Sequence, residues 1–315
     1  MRLFAFLADD GPAHGVLTSD DRVIRLESAA AGLDLILADG RLDEVLAEAA
    51  ERAAGPTIAG TPRGELTPLP AIEFPGKVVA VGLNYADHLR EQGMERPPAP
   101  TLFAKFATAI VADGEPIVRP EGTQALDLEV ELGVVIGRRA RRVPAERAMD
   151  HVAGYVVLND VTARDWQGNK AALPPGGRGD GQWVRAKSSD TFLPIGPVFA
   201  STAAIPDPAA LRLRSWRIPG SGPDAGRPLA MQDGHTSDMV WSVPELIEFI
   251  SRQITLEPGD LIPTGTPSGV GVFRDPPVFL QPGDRVRCEV DGIGAVENPV
   301  IDWSDVPEDT LDGQA

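Results

Sequence analysis

Between residues 126 and 134 the chain alternates strictly between apolar and acidic positions. Leu126, Leu128, Val130, Leu132 and Val134 take one parity, and Asp127, Glu129 and Glu131 take the other. Period two is the mark of an extended strand with two unlike faces. Short apolar runs predict further strands over 2–7, 15–17, 22–26, 77–82, 115–118, 153–159, 211–217, 261–264 and 285–290, with the alternating strand running over 126–136. Helical spacing is rarer. Leu35, Ile36, Leu42, Val45 and Leu46 recur at helical intervals within 34–52, residues 84–91 read as a helix opening, and a helix is expected over 243–253, where Ser242 and Glu245 form a capping box. Many short strands with few helices predict a β-rich α+β fold.

Composition sharpens this. Glycine (33) and proline (30) are abundant, which favours turns over long helices. Three units are expected in the 315 residues: a small N-terminal α/β domain over 1–70, a main domain over 77–303, and an acidic tail over 304–315. The Gly-, Pro- and Thr-rich stretch 54–75 reads as the linker. A formal net charge of −17 argues against a nucleic-acid partner. The apolar run at the N-terminus is too short for a signal peptide and no window approaches a membrane span, so a cytoplasmic protein is expected. The one cysteine, Cys288, reads as a small buried hydrophobe and excludes a Cys/His metal framework.

Carboxylates on one strand face stand about 7 Å apart and repel, so they face either bulk water or a cation. Asp160 ends a second apolar run, and with Glu129 and Glu131 it would complete an all-oxygen site suited to Mg²⁺ or Mn²⁺. The rival reading is an ordinary solvated face of an antiparallel sheet. His88 and Glu91 are three apart on a predicted helix; they form either a general base with its orienting acid or an exposed pair without function. If the segment after Asp160 turns helical, Asp160, Arg164 and Gln167 align, and Arg164 and Gln167 meet either an anionic substrate or a neighbouring acid. Lys187 follows a Gly-rich loop and is either a substrate-holding charge or a surface lysine. His235 has no evident partner, and His14 and His151 read as structural or exposed.

Taken in order, Gly82-Leu-Asn-Tyr-Ala-Asp-His-Leu-Arg-Glu, Leu126-Asp-Leu-Glu-Val-Glu-Leu-Gly-Val-Val-Ile-Gly, Asn159-Asp-Val-Thr-Ala-Arg-Asp-Trp-Gln, Ala186-Lys-Ser-Ser-Asp, Pro258-Gly-Asp-Leu-Ile and Thr264-Gly-Thr-Pro-Ser-Gly-Val-Gly span most of 77–300. In this series the chain resembles the fumarylacetoacetate hydrolase family, and its first 70 residues resemble the small extra domain of bacterial members. The resemblance implies a mixed β-sandwich roll, usually a homodimer, holding Mg²⁺ or Mn²⁺, sometimes Ca²⁺. It implies metal ligands at Glu129, Glu131 and Asp160, a water-activating pair at His88 and Glu91, and substrate-binding positions at Arg164, Gln167, Lys187 and Thr266, with Lys187 also serving catalysis. Ser189, His235 and the long loop 169–182 depart from the family pattern and bear on substrate choice.

On this resemblance the expected activity is metal-assisted hydrolysis of a C–C bond in an acylpyruvate or other 1,3-diketo acid, through an enolate. The same enolate allows decarboxylation or tautomerisation of a 2-oxo or 2-hydroxydiene acid as alternatives. A non-catalytic metal-binding accessory protein is the distant rival.

Overall fold

The structure is a computed structural model that describes residues 1–55, 60–169, 172–173 and 179–306. The expected acidic tail beyond 306, the centre of loop 169–182 and part of the 54–75 stretch lie outside these residues. Among the described residues, no helix is long and apolar enough to cross a membrane.

Strands dominate, as the sequence predicts. The larger sheet has eleven strands, in the order Thr61–Pro62, Arg22–Arg25, Gly11–Leu17, Arg2–Ala8, Val198–Ser201, Val152–Asn159, Val130–Ile136, Leu261–Pro263, Val78–Gly82 and Thr101–Lys105, with Thr67–Pro68 joining beside Arg2–Ala8. A second sheet orders Leu229–His235, Arg212–Ile218, Arg285–Val290, Gly294–Asp302 and Ile117–Arg119. It packs across Val130–Ile136 and Val152–Asn159, which are buried along their whole lengths. Val, Ile and Leu fill these two central strands because both of their faces are covered. Cys288 is buried between the layers, and burial pushes its thiol up, so it is an inert packing group.

Several local expectations change. The stretch 54–75 is not a plain linker: 61–62 and 67–68 are short strands paired into the large sheet. Arg2–Ala8 pairs antiparallel with Val198–Ser201, so the strand order of the large sheet runs on into the N-terminal residues. The helical pattern over 34–52 forms two helices, Leu33–Ala38 and Leu42–Ala54. Gly40, at φ +70, breaks the pattern, since that backbone region is open to glycine at little cost. The helix Val243–Ser251 forms with its expected cap; the Ser242 N–H donates to Glu245 Oε2 at 2.7 Å.

His14 is buried in the N-terminal strands, its Nδ1 3.1 Å from the Ala31 carbonyl oxygen. Burial holds its imidazole down to about 4. The folded state therefore excludes a proton that the unfolded chain takes up below the ordinary histidine value of 6.5. Stability is expected to fall as pH drops from there towards 4, by up to about 3 kcal/mol. Denaturant unfolding across that range, compared with a His14→Gln variant, measures the effect; parallel pH profiles would refute it.

Candidate active site

The alternating strand does not face water. It runs as two pieces, Leu126–Asp127 and Val130–Ile136, and every residue from 125 to 136 is buried. The apolar parity enters the core, and the acidic parity lies under the helix Trp183–Ser188 and the segment after Leu261–Pro263. Sheet pairing then gathers the acids. Val130 stands opposite Asn159, and the Asp160 N–H donates to the Glu129 carbonyl at 2.9 Å, which brings Asp160 beside Glu129. Glu129, Glu131 and Asp160 each present an oxygen within 4.8 Å of the others.

Asp127, the third acid of that parity, does different work. Its carboxylate accepts the N–H groups of Gly271 and Val272 at 2.8 and 3.0 Å and the Arg164 Nε at 2.9 Å. It anchors the turn Gly271–Phe273, whose Phe273 ring meets His88 edge-on at 5.8 Å.

Three buried cations face these acids. Lys187 Nζ bridges Glu129 Oε2 at 2.7 Å and Asp160 Oδ2 at 2.6 Å. Arg164 Nη2 donates to Glu129 Oε1 at 2.6 Å, and its Nη1 reaches Gln167 at 3.3 Å. The third, Lys105, was not singled out from the sequence; its Nζ lies 2.7 Å from Asp160 Oδ1. Lys187 is therefore no surface lysine, and Arg164 already pairs with two acids. The condition that the segment turn helical directly after Asp160 is not met. Thr162–Ala163 pairs with Leu126–Asp127, so the helix starts only at Arg164.

Electrostatics separates the two glutamates. Burial works against ionising Glu129, but Lys187 and Arg164 outweigh it and hold its carboxyl below the usual range. For Glu131, burial and then the charges of Asp160 and Glu129 push the carboxyl well above that range. The charge of Lys187 and the Gly265 N–H, 2.8 Å from Oε2, favour its charged form but do not outweigh these. Gly265 has φ +95, and a Cβ there would stand 2.9 Å from that of Asn84, so only glycine lets this backbone approach. A buried oxygen cluster with one poorly compensated carboxylate suits a hard divalent cation, and the donor set fits Mg²⁺, Mn²⁺ or Ca²⁺.

His88 and Glu91 meet as the spacing predicts, Nδ1 to Oε2 at 3.0 Å, on the helix Ala86–Glu91. The pair is not exposed, since His88 is 5% accessible. Glu91 also accepts the Gly269 N–H at 2.9 Å, and Asp87 accepts from Ser268, so two acids pin this helix to the glycine-rich segment. With Nδ1 engaged, Nε2 is the atom left to carry a proton.

A cavity of about 280 Å³ joins these groups. It is lined by His88, Glu129, Glu131, Asp160, Arg164, Gln167, Lys187 and Thr266; Glu91 stands behind His88. The Thr266 hydroxyl donates to the Val130 carbonyl and accepts from Gln232 Nε2 at 2.7 Å. Gln232, also missed from the sequence, locks the acidic strand by accepting the Val130 N–H. Leu83, Met94, Phe103, Trp183 and Phe273 add apolar wall. Neither Ser189 nor His235 lines the cavity; Ser189 bonds the Arg185 carbonyl, and His235 bonds Ser237.

Residues 77–301 match the family model for the fumarylacetoacetate (FAA) hydrolase C-terminal region. The mitochondrial oxaloacetate tautomerase FAHD2A of Bos taurus is 45% identical over 250 residues, covering 79% of this chain and 74% of that protein. Its Homo sapiens counterpart is 42% identical over 258 residues, covering 82% and 77%. Among solved structures, the 5-carboxymethyl-2-hydroxymuconate delta-isomerase of Mycobacterium smegmatis is 33% identical with a TM-score of 0.71, covering 96% of this chain and 100% of that one. The fumarylacetoacetate hydrolase of Exiguobacterium antarcticum is 32% identical with a TM-score of 0.76, covering 96% and 99%. A match over residues 77–301 and across both sheets of the sandwich leads to one conclusion: the chain belongs to the fumarylacetoacetate hydrolase family.

Proposed function

We propose that this protein is a divalent-metal-dependent enzyme that interconverts the keto and enol forms of a small 2-oxo acid. The carrying observation is the buried cluster of Glu129, Glu131 and Asp160 beside the His88–Glu91 pair in one cavity. The three carboxylates would hold Mg²⁺, Mn²⁺ or Ca²⁺, and such an ion, when bound, supplies Lewis-acid stabilisation of charge on the 2-oxo oxygen. His88, through Nε2, takes the proton from the carbon beside the carbonyl and returns it on the other side of the equilibrium; Glu91 keeps the ring in the tautomer that can do so. Lys187 adds fixed positive charge beside the developing enolate. The names of the similar proteins, tautomerases and isomerases among them, support this reading over C–C cleavage.

Hydrolysis of an acylpyruvate is the second reading, favoured by the same dyad, which can equally deprotonate water. An assay separates the two. Protein loaded with Mg²⁺ or Mn²⁺ is expected to speed the decay of enol absorbance in fresh oxaloacetate without releasing a cleaved acid. His88→Ala should lower that rate by about 10²- to 10⁴-fold. Undiminished turnover in chelator, or an unaffected His88→Ala variant, defeats the proposal; cleavage of acylpyruvates with no effect on oxaloacetate selects the second reading.

A further inference from the structure

Lys105 stands apart from the other charges of the site. It follows Thr-Leu-Phe-Ala on an edge strand of the large sheet, yet it is only 2% exposed and does not line the cavity. Its ammonium lies 2.7 Å from Asp160 Oδ1, donates to the backbone carbonyl of Lys187, and reaches the Val161 carbonyl at 3.5 Å. Lys187 holds the other oxygen of Asp160 and borders the cavity. Lys105 does not, and its charge is enclosed against a carboxylate that the metal would share.

The enclosed charges then matter as a set. Asp127, Glu129, Glu131 and Asp160 are balanced by Lys105, Arg164 and Lys187, which leaves one net negative charge when all are ionised. A divalent cation turns that into one net positive charge, and a single carboxylate from the substrate brings it to zero. Uncompensated charge is costly in an enclosed site, so the complete ternary arrangement is favoured over either half.

We propose that Lys105 is a positioning residue that weakens the three-carboxylate site for a divalent cation alone, and thereby couples metal binding to binding of a 2-oxo acid carboxylate. This rests on the reading of Glu129, Glu131 and Asp160 as a metal site. The coupling is reciprocal: whatever factor the acid adds to metal affinity, the metal adds to the affinity for the acid. A lysine that merely braces Asp160 would act in the opposite sense, since its loss would disorder a ligand and loosen the metal.

The test titrates Mn²⁺ into the chelator-stripped full chain and reads free Mn²⁺ by electron paramagnetic resonance, with and without pyruvate as the monoanionic probe. Pyruvate is expected to tighten wild-type Mn²⁺ binding by about tenfold. Lys105→Met should bind Mn²⁺ alone about tenfold more tightly and lose most of the pyruvate effect, and Lys105→Arg should restore wild-type behaviour. Weaker or unchanged Mn²⁺ binding in Lys105→Met overturns the proposal, as does a wild-type affinity that pyruvate leaves alone. Should Lys105→Met not fold, Lys105→Gln, which also removes the charge, takes its place with the same expected and overturning results. A wild type that takes up no Mn²⁺ under any condition instead strikes down the metal site on which the inference rests.

Discussion

Replacing Glu131 by glutamine is expected to abolish turnover and, at the same time, to raise the thermal stability of the metal-free protein. The loss follows from the ligand set: an amide keeps the shape but gives a neutral, weak donor to a hard cation. Without the ion's charge stabilisation, worth several kcal/mol, the rate should drop by about 10³-fold or more. The gain follows from burial. Burial and then the neighbouring Asp160 and Glu129 raise the Glu131 carboxyl well above the ordinary glutamate value of 4.5. An acid raised in the folded state takes stability away as pH climbs from its unfolded value through its folded one. In chelator, the wild-type melting temperature should therefore fall relative to Glu131→Gln as pH rises above about 5, with the His14 contribution common to both. Added Mg²⁺ should raise the wild-type melting temperature increasingly with pH and leave the variant unmoved. Calorimetry at several pH values reads all of this. A variant that keeps wild-type activity, or is less stable than wild type at every pH, contradicts the assignment.

The second large effect is on folding itself. Arg164 donates through Nε to Asp127 and through Nη2 to Glu129, and its side chain is 4% exposed. Arg164→Met leaves two buried carboxylates short of their partner, a change that typically costs about 3–5 kcal/mol. For a chain of this size that lowers the melting temperature by about 10 °C. Arg164→Lys should recover only part of the loss, because one ammonium cannot reproduce the two directions of the guanidinium fork. Urea unfolding followed by tryptophan fluorescence measures it. A loss below about 1 kcal/mol would mean that the two acids are solvated like a surface pair.

The acidic parity of residues 127–131 and the three-residue step from His88 to Glu91 are local patterns, so the sequence displayed them openly. Whether those patterns faced water or a cavity was not local. That depended on Trp183–Ser188 and the Gly265 backbone closing over the strand, contacts that join residues 58 and 134 positions apart. Arg164 shows the same limit: its type and spacing suggested an anion partner, and the structure supplies two from its own chain. Lys105 escaped notice because a lysine after four mostly apolar residues on a short strand looks like a solvated edge. A signal was present, since period two puts Lys105 on the same side as Phe103, which borders the cavity. In the fold, strands such as Arg2–Ala8, Val152–Asn159 and Arg285–Val290 and the capped helix over 243–251 were readable from pattern, whereas Thr101–Lys105, Val198–Ser201, Leu229–His235 and Gly294–Asp302 were not. The pairing of Arg2–Ala8 with Val198–Ser201 was not, because nothing in either run names a partner almost 200 residues away.

That pairing gives the first 70 residues a protective office. Val198–Ser201 is buried and apolar, and with Arg2–Ala8 absent its outer N–H and C=O groups would lie open as a template for any passing strand. The small N-terminal layer shields this flank, and it ends its own run of strands on the two-residue Thr61–Pro62, whose proline lacks the N–H that a further strand would need.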